Sequence, residues 1–588
     1  MTYCVGRRLG ALLLIATAPV AVRAQVLEVR PVVPPSAAAS LAMLRTAQEG
    51  FESFRRQRLP IFVGRRPAAG ECDEQIGRFC YWYDETDLEL PKEPRAISDA
   101  RLRFMALLDS AGKAQPNDRW ISGQRVRYLA EAEMYDEAIV AARECTMLDW
   151  WCSAIQGFAF HVAGRYAAAD SAYTRALALM DLRERCDFRD LKLLIDDAFL
   201  RKYHDHSCAD RANLEERIWW LARPRLSSAG NDARTEYFSR LMMARFIEDA
   251  PSAFQMGFDS DEREMLIRYG WPVAWTREEG TPYGAVRPSI VGHEPTPAHP
   301  YLPSPRVLDN PASSDSAEWR SKGVPPVRAR YAPAYARRLL PLEHQAALFR
   351  RGDSALVAAA WSVAGDTALS AAAGVPNELS AALVLTKTTE RDATIVRASA
   401  PGERGTFTAR APWGSMLMSI EVGATARRTL ARARYGVRGS DQPQSRVQIS
   451  DLLLFEPYDG MPMRLEDVVP RMRTSQRIRV GSSVGIYWEA YNTRPTGESI
   501  GVSITVAPEQ SGGGWLRRGL RALRLVREAR PVTVGMQDVS ARGLTYTSRA
   551  VIVDLATLTP GRYLMELELN AGGGNVVRAE RAITVVRP

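Results

Sequence analysis

Residues 231–275, NDARTEYFSRLMMARFIEDAPSAFQMGFDSDEREMLIRYGWPVAW, mark a change of architecture. Before them apolar residues recur at helical spacing; after them short alternating runs dominate, so any fold must be helical first and β afterwards. Asn231 is a good helix N-cap, because its short side-chain oxygen can take an unpaired N–H of the first turn. Phe238, Leu241, Met242 and Phe246 then form one apolar face. Asp249, Pro251 and Ser252 interrupt it, and Met265 to Tyr269 is a short apolar run stopped by Gly270 and Pro272. The stretch therefore reads as helix, turn, buried strand.

A chain of 588 residues is too long for one ordinary core, and two to four domains are expected. Hydrophobic content of 46% and charged content of 25% are those of a globular protein. Residues 1–24 carry Arg7-Arg8, an apolar run from Leu9 to Val22 and small residues before Gln25, the pattern of a secretory signal peptide. Its three arginines account for part of the net charge of +9, leaving 9 − 3 = +6, too mild to imply a nucleic-acid partner. An exported protein of the periplasm, envelope or medium is expected.

Six further cysteines lie in the helical half. An even number in an exported chain favours disulfides, and proximity suggests Cys72 with Cys80, Cys145 with Cys152, and Cys186 with Cys208. His204 and His206 beside Cys208 lack the remaining ligands of a metal site, so no metal and no cofactor are expected.

Gly257-Phe258-Asp259-Ser260-Asp261, followed by Leu266-Ile267-Arg268-Tyr269-Gly270-Trp271-Pro272, resembles the GWxTD domain, with its IRYGPP-like strand and turn at the same spacing. Asn231, Arg234 and Phe238 sit where that family carries an Asn, an Arg and an aromatic. Phe258, Ser260 and Trp271 depart from the pattern, so the resemblance is to a divergent member. It implies a fold and a setting and brings no activity with it. ISDLLL at Ile449 and IYWEAYN at Ile486 are similar to the segments that accompany such domains.

Upstream, Gly157, Phe160, Gly164, Tyr166, Ala169, Tyr173 and Ala176 resemble the packing positions of a tetratricopeptide repeat, and Tyr135, Ala138 and Ala142 repeat the signal one unit earlier. Such helical pairs commonly bind peptides, which nominates Trp150, Trp151, Phe160, Tyr166 and Tyr173 as a partner-binding face. The organisation read from the chain is a helical region with a cysteine loop at 25–117, repeats at 118–215, a junction at 216–280, a Pro-rich linker at 281–340, and two antiparallel β-sandwiches at 341–440 and 441–588. Within the second, residues 515–530 are basic and amphipathic, the one segment suited to membrane contact.

No catalytic constellation stands out. Gly481-Ser482-Ser483-Val484-Gly485 matches GxSxG but leads into a strand, so it lacks the strand-to-helix elbow that exposes a nucleophile. The expected function is non-catalytic protein or peptide binding. Its alternatives are glycan binding through rings such as Trp361, Trp413 or Trp488, and an envelope hydrolase whose site is assembled from distant residues.

Overall fold

The computed structural model describes residues 37–62, 73–81, 90–254, 257–279, 289–294, 299–319, 328–387, 390–399, 401–439, 447–493, 499–509, 532–539, 546–570 and 576–587. The expected leader at 1–24, Cys72 and the basic segment 515–530 lie outside the described residues.

The chain is helical first and β-rich afterwards. Among the described residues the helical half contains α1 (Ala37–Arg58), α2 (Arg95–Ala114), α3 (Arg119–Glu131), α4 (Tyr135–Arg143), α5 (Trp150–Val162), α6 (Tyr166–Leu179), α7 (Leu182–Arg189), α8 (Asp197–His204), α9 (Ala212–Ala222), α10 (Asp232–Glu248) and α11 (Ser260–Tyr269). Several starts are fixed by caps: Asp118, Asp149, Asp181 and Asn231 each accept a first-turn N–H at the head of α3, α5, α7 and α10. Helix α10 is the hub, packed against α3, α5, α6 and α11. Tyr237, Phe238, Leu241, Met242 and Phe246 fill the core between them.

Residues 265–269 are the end of α11, not the expected strand. Glu262, Leu266 and Tyr269 are all buried, a spacing of four and three that only a helix puts on one face. A short apolar run does not distinguish buried helix from buried strand by periodicity. The strand comes later, Ala274–Glu278, paired antiparallel with Ser289–His293.

The described parts of 281–340 also differ from a linker. Tyr301, Val307, Leu308, Trp319 and Tyr331 belong to the helical core, and the Tyr301 hydroxyl donates to the Ala233 carbonyl at 2.7 Å. Prolines erase the periodic signal here, yet the aromatics between them still gain by leaving water.

In the β half, a five-stranded sheet, ordered Thr394–Arg397, Ser380–Thr386, Met416–Ala424, Thr429–Val437, Arg338–Pro341, faces a three-stranded sheet of Arg404–Pro412, Ser354–Ser362 and Glu343–Arg351. Val357, Ala359 and Trp361 meet Met416, Met418 and Ile420 between them. Both sheets are buried on their outer faces as well. Val384 and Leu417 pack into the helical core, while Ala347, Phe349, Ala358 and Ala360 pack against Leu453, Phe455 and Tyr487 of the next sheet. On that next sheet Ile486 and Trp488 point the other way, toward Ile504, Met565 and Leu567 of a second five-stranded sheet. Alternation along each strand thus joins the layers face to face.

Candidate functional site

The aromatic face expected to bind a partner is core. Trp150, Trp151, Phe160 and Tyr173 are buried and Tyr166 is half-buried. Trp151 donates its indole N–H to Ser122 at 3.1 Å, and the Tyr173 hydroxyl pairs with Ser239 at 2.9 Å. A Cβ at Gly157 would stand 2.9 Å from the Tyr173 ring, so the glycine is what lets α5 and α6 close over it. Trp361 and Trp488 are likewise sealed in sheet cores, and Trp413 is half-buried beneath Arg350. These rings fill gaps between layers and present no shared groove.

Cys145 is joined to Cys152 and Cys186 to Cys208. Cys80 is disulfide-bonded as well. The first bridge closes a loop that carries Leu148, 99% exposed. That loop is held at three further points: Asn117 accepts the Thr146 N–H and hydroxyl, both at 3.1 Å, Arg119 pairs with Asp149 at 2.5 Å, and Asp149 caps α5. A fully exposed leucine on a fixed backbone is already ordered for contact.

A groove of about 620 Å³ runs between α2, α3 and α4 and reaches Glu144, just before this loop. Leu102, Met105, Leu129, Met134 and Val140 line it, Leu102 and Val140 being 50% and 56% exposed. Its rim carries Asp109, Asp136, Glu137 and Glu144 against Lys113 and Arg125. Arg125 bridges Asp109 and Glu144, and Lys113 together with Arg125 holds the Asp109 carboxyl below its usual range.

A cleft of about 440 Å³ opens across the α3–α4 turn from the groove, between Arg55, the end of α5, Trp271–Trp275 and Tyr331. On its wall His161 contacts Glu236 at 2.7 Å and Thr235 at 2.9 Å, and Glu236 also takes Arg240 at 2.6 Å. Burial alone would raise Glu236, but Arg240 and His161 outweigh it and hold the carboxylate at about 2. Hydroxyl, imidazole and carboxylate stand in line here, yet Thr235 is fully buried and its hydroxyl donates to the Asp232 carbonyl at 3.2 Å. The chain of bonds braces α5 against α10 and exposes no nucleophile.

Below the cleft, a cavity of about 40 Å³ has Glu262 and Glu294 in its lining, each pushed up to about 7 by burial. Among the described residues no cluster of His, Cys, Asp and Glu is placed to hold a metal ion. No helix among them is long and apolar enough to cross a membrane.

The groove and Leu148 escape a reading based on aromatic anchors because they are aliphatic. A signal was present: Leu102, Met105, Ala106 and Leu107 make the apolar stripe of α2 wider than one neighbour can cover.

No family model matches the chain, and no curated protein matches it. A crystal structure of red sea bream transglutaminase is similar over 43% of this chain and 32% of that one, with 9% identity and a TM-score of 0.13. The match spans about a third of that protein, and a likeness of this size bears on neither fold nor activity here.

Proposed function

We propose that this is an exported, non-catalytic binding protein of the bacterial envelope, whose helical half holds a peptide segment of a partner protein. On this reading α3–α6 are tetratricopeptide-like repeats, 231–275 is a GWxTD-like junction, and the β half is a pair of sandwich modules that space the binding half from its surroundings. Export is supported by the leader-like pattern at 1–24 and by the disulfides, which persist in oxidising compartments.

The observation that carries the reading is the open apolar groove between α2, α3 and α4, whose rim reaches Glu144 just before the stapled loop that carries Leu148. Four carboxylates against two cations on its rim favour a segment with apolar side chains flanked by Lys or Arg. The test is capture from the native envelope fraction with the chain from Gln25 onward, against L102D, V140D and L148D variants. A partner cross-linked through a basic, apolar segment, and lost in the three variants while their melting temperatures stay unchanged, supports the proposal. Equal capture by all four proteins, or retention of polysaccharide only, overturns it.

A further inference from the structure

The cleft beyond the groove carries a different chemistry. Two consecutive helical hairpins turn at equivalent places, Ala132-Glu133-Met134-Tyr135 between α3 and α4, and Ala163-Gly164-Arg165-Tyr166 between α5 and α6. Their closing hydrogen bonds match one for one: the N–H groups of Glu133 and Met134 reach the Ala130 and Leu129 carbonyls, those of Gly164 and Arg165 the His161 and Phe160 carbonyls. This pattern requires a left-handed residue, and φ is 58° at Glu133 and 71° at Gly164. Glycine adopts it freely, whereas the Cβ of a glutamate is crowded there.

No ion pair explains the glutamate. Among the described residues Glu133 makes none, and Arg337 acts on it only through space. Its place in the fold is the lining of the 440 Å³ cleft, together with the rings of Tyr135, Tyr166, Tyr331, Trp271 and Trp275.

The charges of the lining point to the ligand. Glu93 pairs with Arg101, Glu131 with Arg55 and Arg127, and Glu236 with Arg240, so among the described residues Glu133 is the carboxylate of the lining left without an ion-pair partner. The arginines of the lining, Arg55 and Arg101, are thereby already engaged, Arg55 by Glu131 at 3.0 Å. An anion would meet no unengaged arginine there. A bare metal ion would want several converging oxygens, and none of the described residues converge so. A cation on a carbon frame is suited by both features, since aromatic faces attract it and a carboxylate pairs with it.

We infer that this cleft binds an organic ammonium group, with Glu133 as its counter-ion and Tyr135 and Tyr166 as flanking walls. A lysine side chain, a peptide amino terminus and a polyamine share this chemistry. The site does not depend on the groove, because the α3–α4 turn separates them: Leu129 and Met134 line the groove, Glu133 and Tyr135 the cleft.

The test is isothermal titration of the chain from Gln25 onward with Nα-acetyl-lysine methylamide, trialanine amide and spermidine, and with neutral Nα-acetyl-norleucine methylamide as control. At least one ammonium probe binds saturably at one site, and which one does so identifies the source. E133Q and E133G weaken it about tenfold or more, the loss of one charge-assisted contact. E133G installs the residue of the neighbouring turn and melts no lower than the parent, so its lost binding cannot be put down to misfolding. L102D keeps the binding intact. Absence of binding by all three probes, equal binding by the control, or affinity unchanged in E133Q and E133G overturns the inference.

Discussion

Arg434 and Glu421 form an ion pair at 3.0 Å in which neither side chain has any exposure to water, at the seam between the helical half and the first five-stranded sheet. Glu421 also accepts the N–H groups of Leu226 and Ser227 at 2.9 and 3.0 Å, and Arg434 donates to the Arg223 and Pro224 carbonyls. The pair therefore clamps the loop after α9 onto the sheet. Burial pushes the Glu421 carboxyl up, but Arg434 and the Ser227 and Leu226 donors outweigh it and keep it below its usual range.

Breaking the pair from one side strands a buried charge. E421Q or R434M should each cost about 3–5 kcal/mol, while E421L combined with R434L should recover part of that loss. Urea unfolding of the three variants checks this; single variants as stable as the parent would show that the seam is held by other contacts.

Glu262 predicts a pH effect. It is buried, one carboxylate oxygen has no partner, and its pKa is pushed up to about 7 from 4.5. The folded chain therefore keeps a proton that the unfolded chain releases above pH 4.5. Stability from this group is present below that value and is lost as pH rises through 7. E262Q should gain on the parent by roughly 2–3 kcal/mol between pH 5 and 8. A stability difference that stays flat with pH would remove Glu262 from this role.

Much of this architecture is readable in the chain, for reasons that also set the limit. The switch from period 3.6 to period 2 survives folding, because both halves bury one-sided elements. Local chemistry survives too: Asn231 caps α10 through the Arg234 N–H at 3.0 Å, and two neighbouring cysteine pairs are bridged. What fails is whatever depends on partners far away in sequence. Residues 265–269 have the texture of a strand and become helix because α10 lies alongside them. Trp150 and Tyr173 resemble anchors and are buried because neighbouring helices close over them. The cleft brings Arg55, Glu133, His161, Glu236, Trp271 and Tyr331 together, and no local pattern links those six.

The two described disulfides should contribute unequally. The Cys145–Cys152 bridge spans 7 residues and the Cys186–Cys208 bridge 22. If chain entropy dominates, closing the longer loop is worth about 1 kcal/mol more, within a typical 2–4 kcal/mol for either. C186A/C208A should thus melt below C145A/C152A. In contrast, C145A/C152A should release the Leu148 loop and weaken partner capture at temperatures where the protein remains folded. The opposite order of melting would place the difference in native packing.

Tyr269 tests the junction. Its ring is buried and stacks on Tyr81 at 3.7 Å between centroids, its hydroxyl donates to Glu74 at 2.5 Å, and Arg268 donates to that hydroxyl at 3.0 Å. Arg268 itself pairs with Glu74 at 2.5 Å, and Asp261 at the head of α11 pairs with Arg78 in the hairpin turn at 2.6 Å, so α11 holds the small hairpin of Glu74–Ile76 and Phe79–Tyr81 through one ring and two ion pairs. Y269F removes only the hydroxyl and should cost about 1–2 kcal/mol, because Arg268 and Glu74 still satisfy each other. Y269A also removes the ring and leaves a cavity beneath Tyr81, for about 3–5 kcal/mol. Limited proteolysis separates local from global loss. If the ring pins the hairpin, Y269A is cut near residues 74–81 well below its melting temperature and Y269F is not; equal resistance in both variants would show that the two ion pairs suffice without the ring.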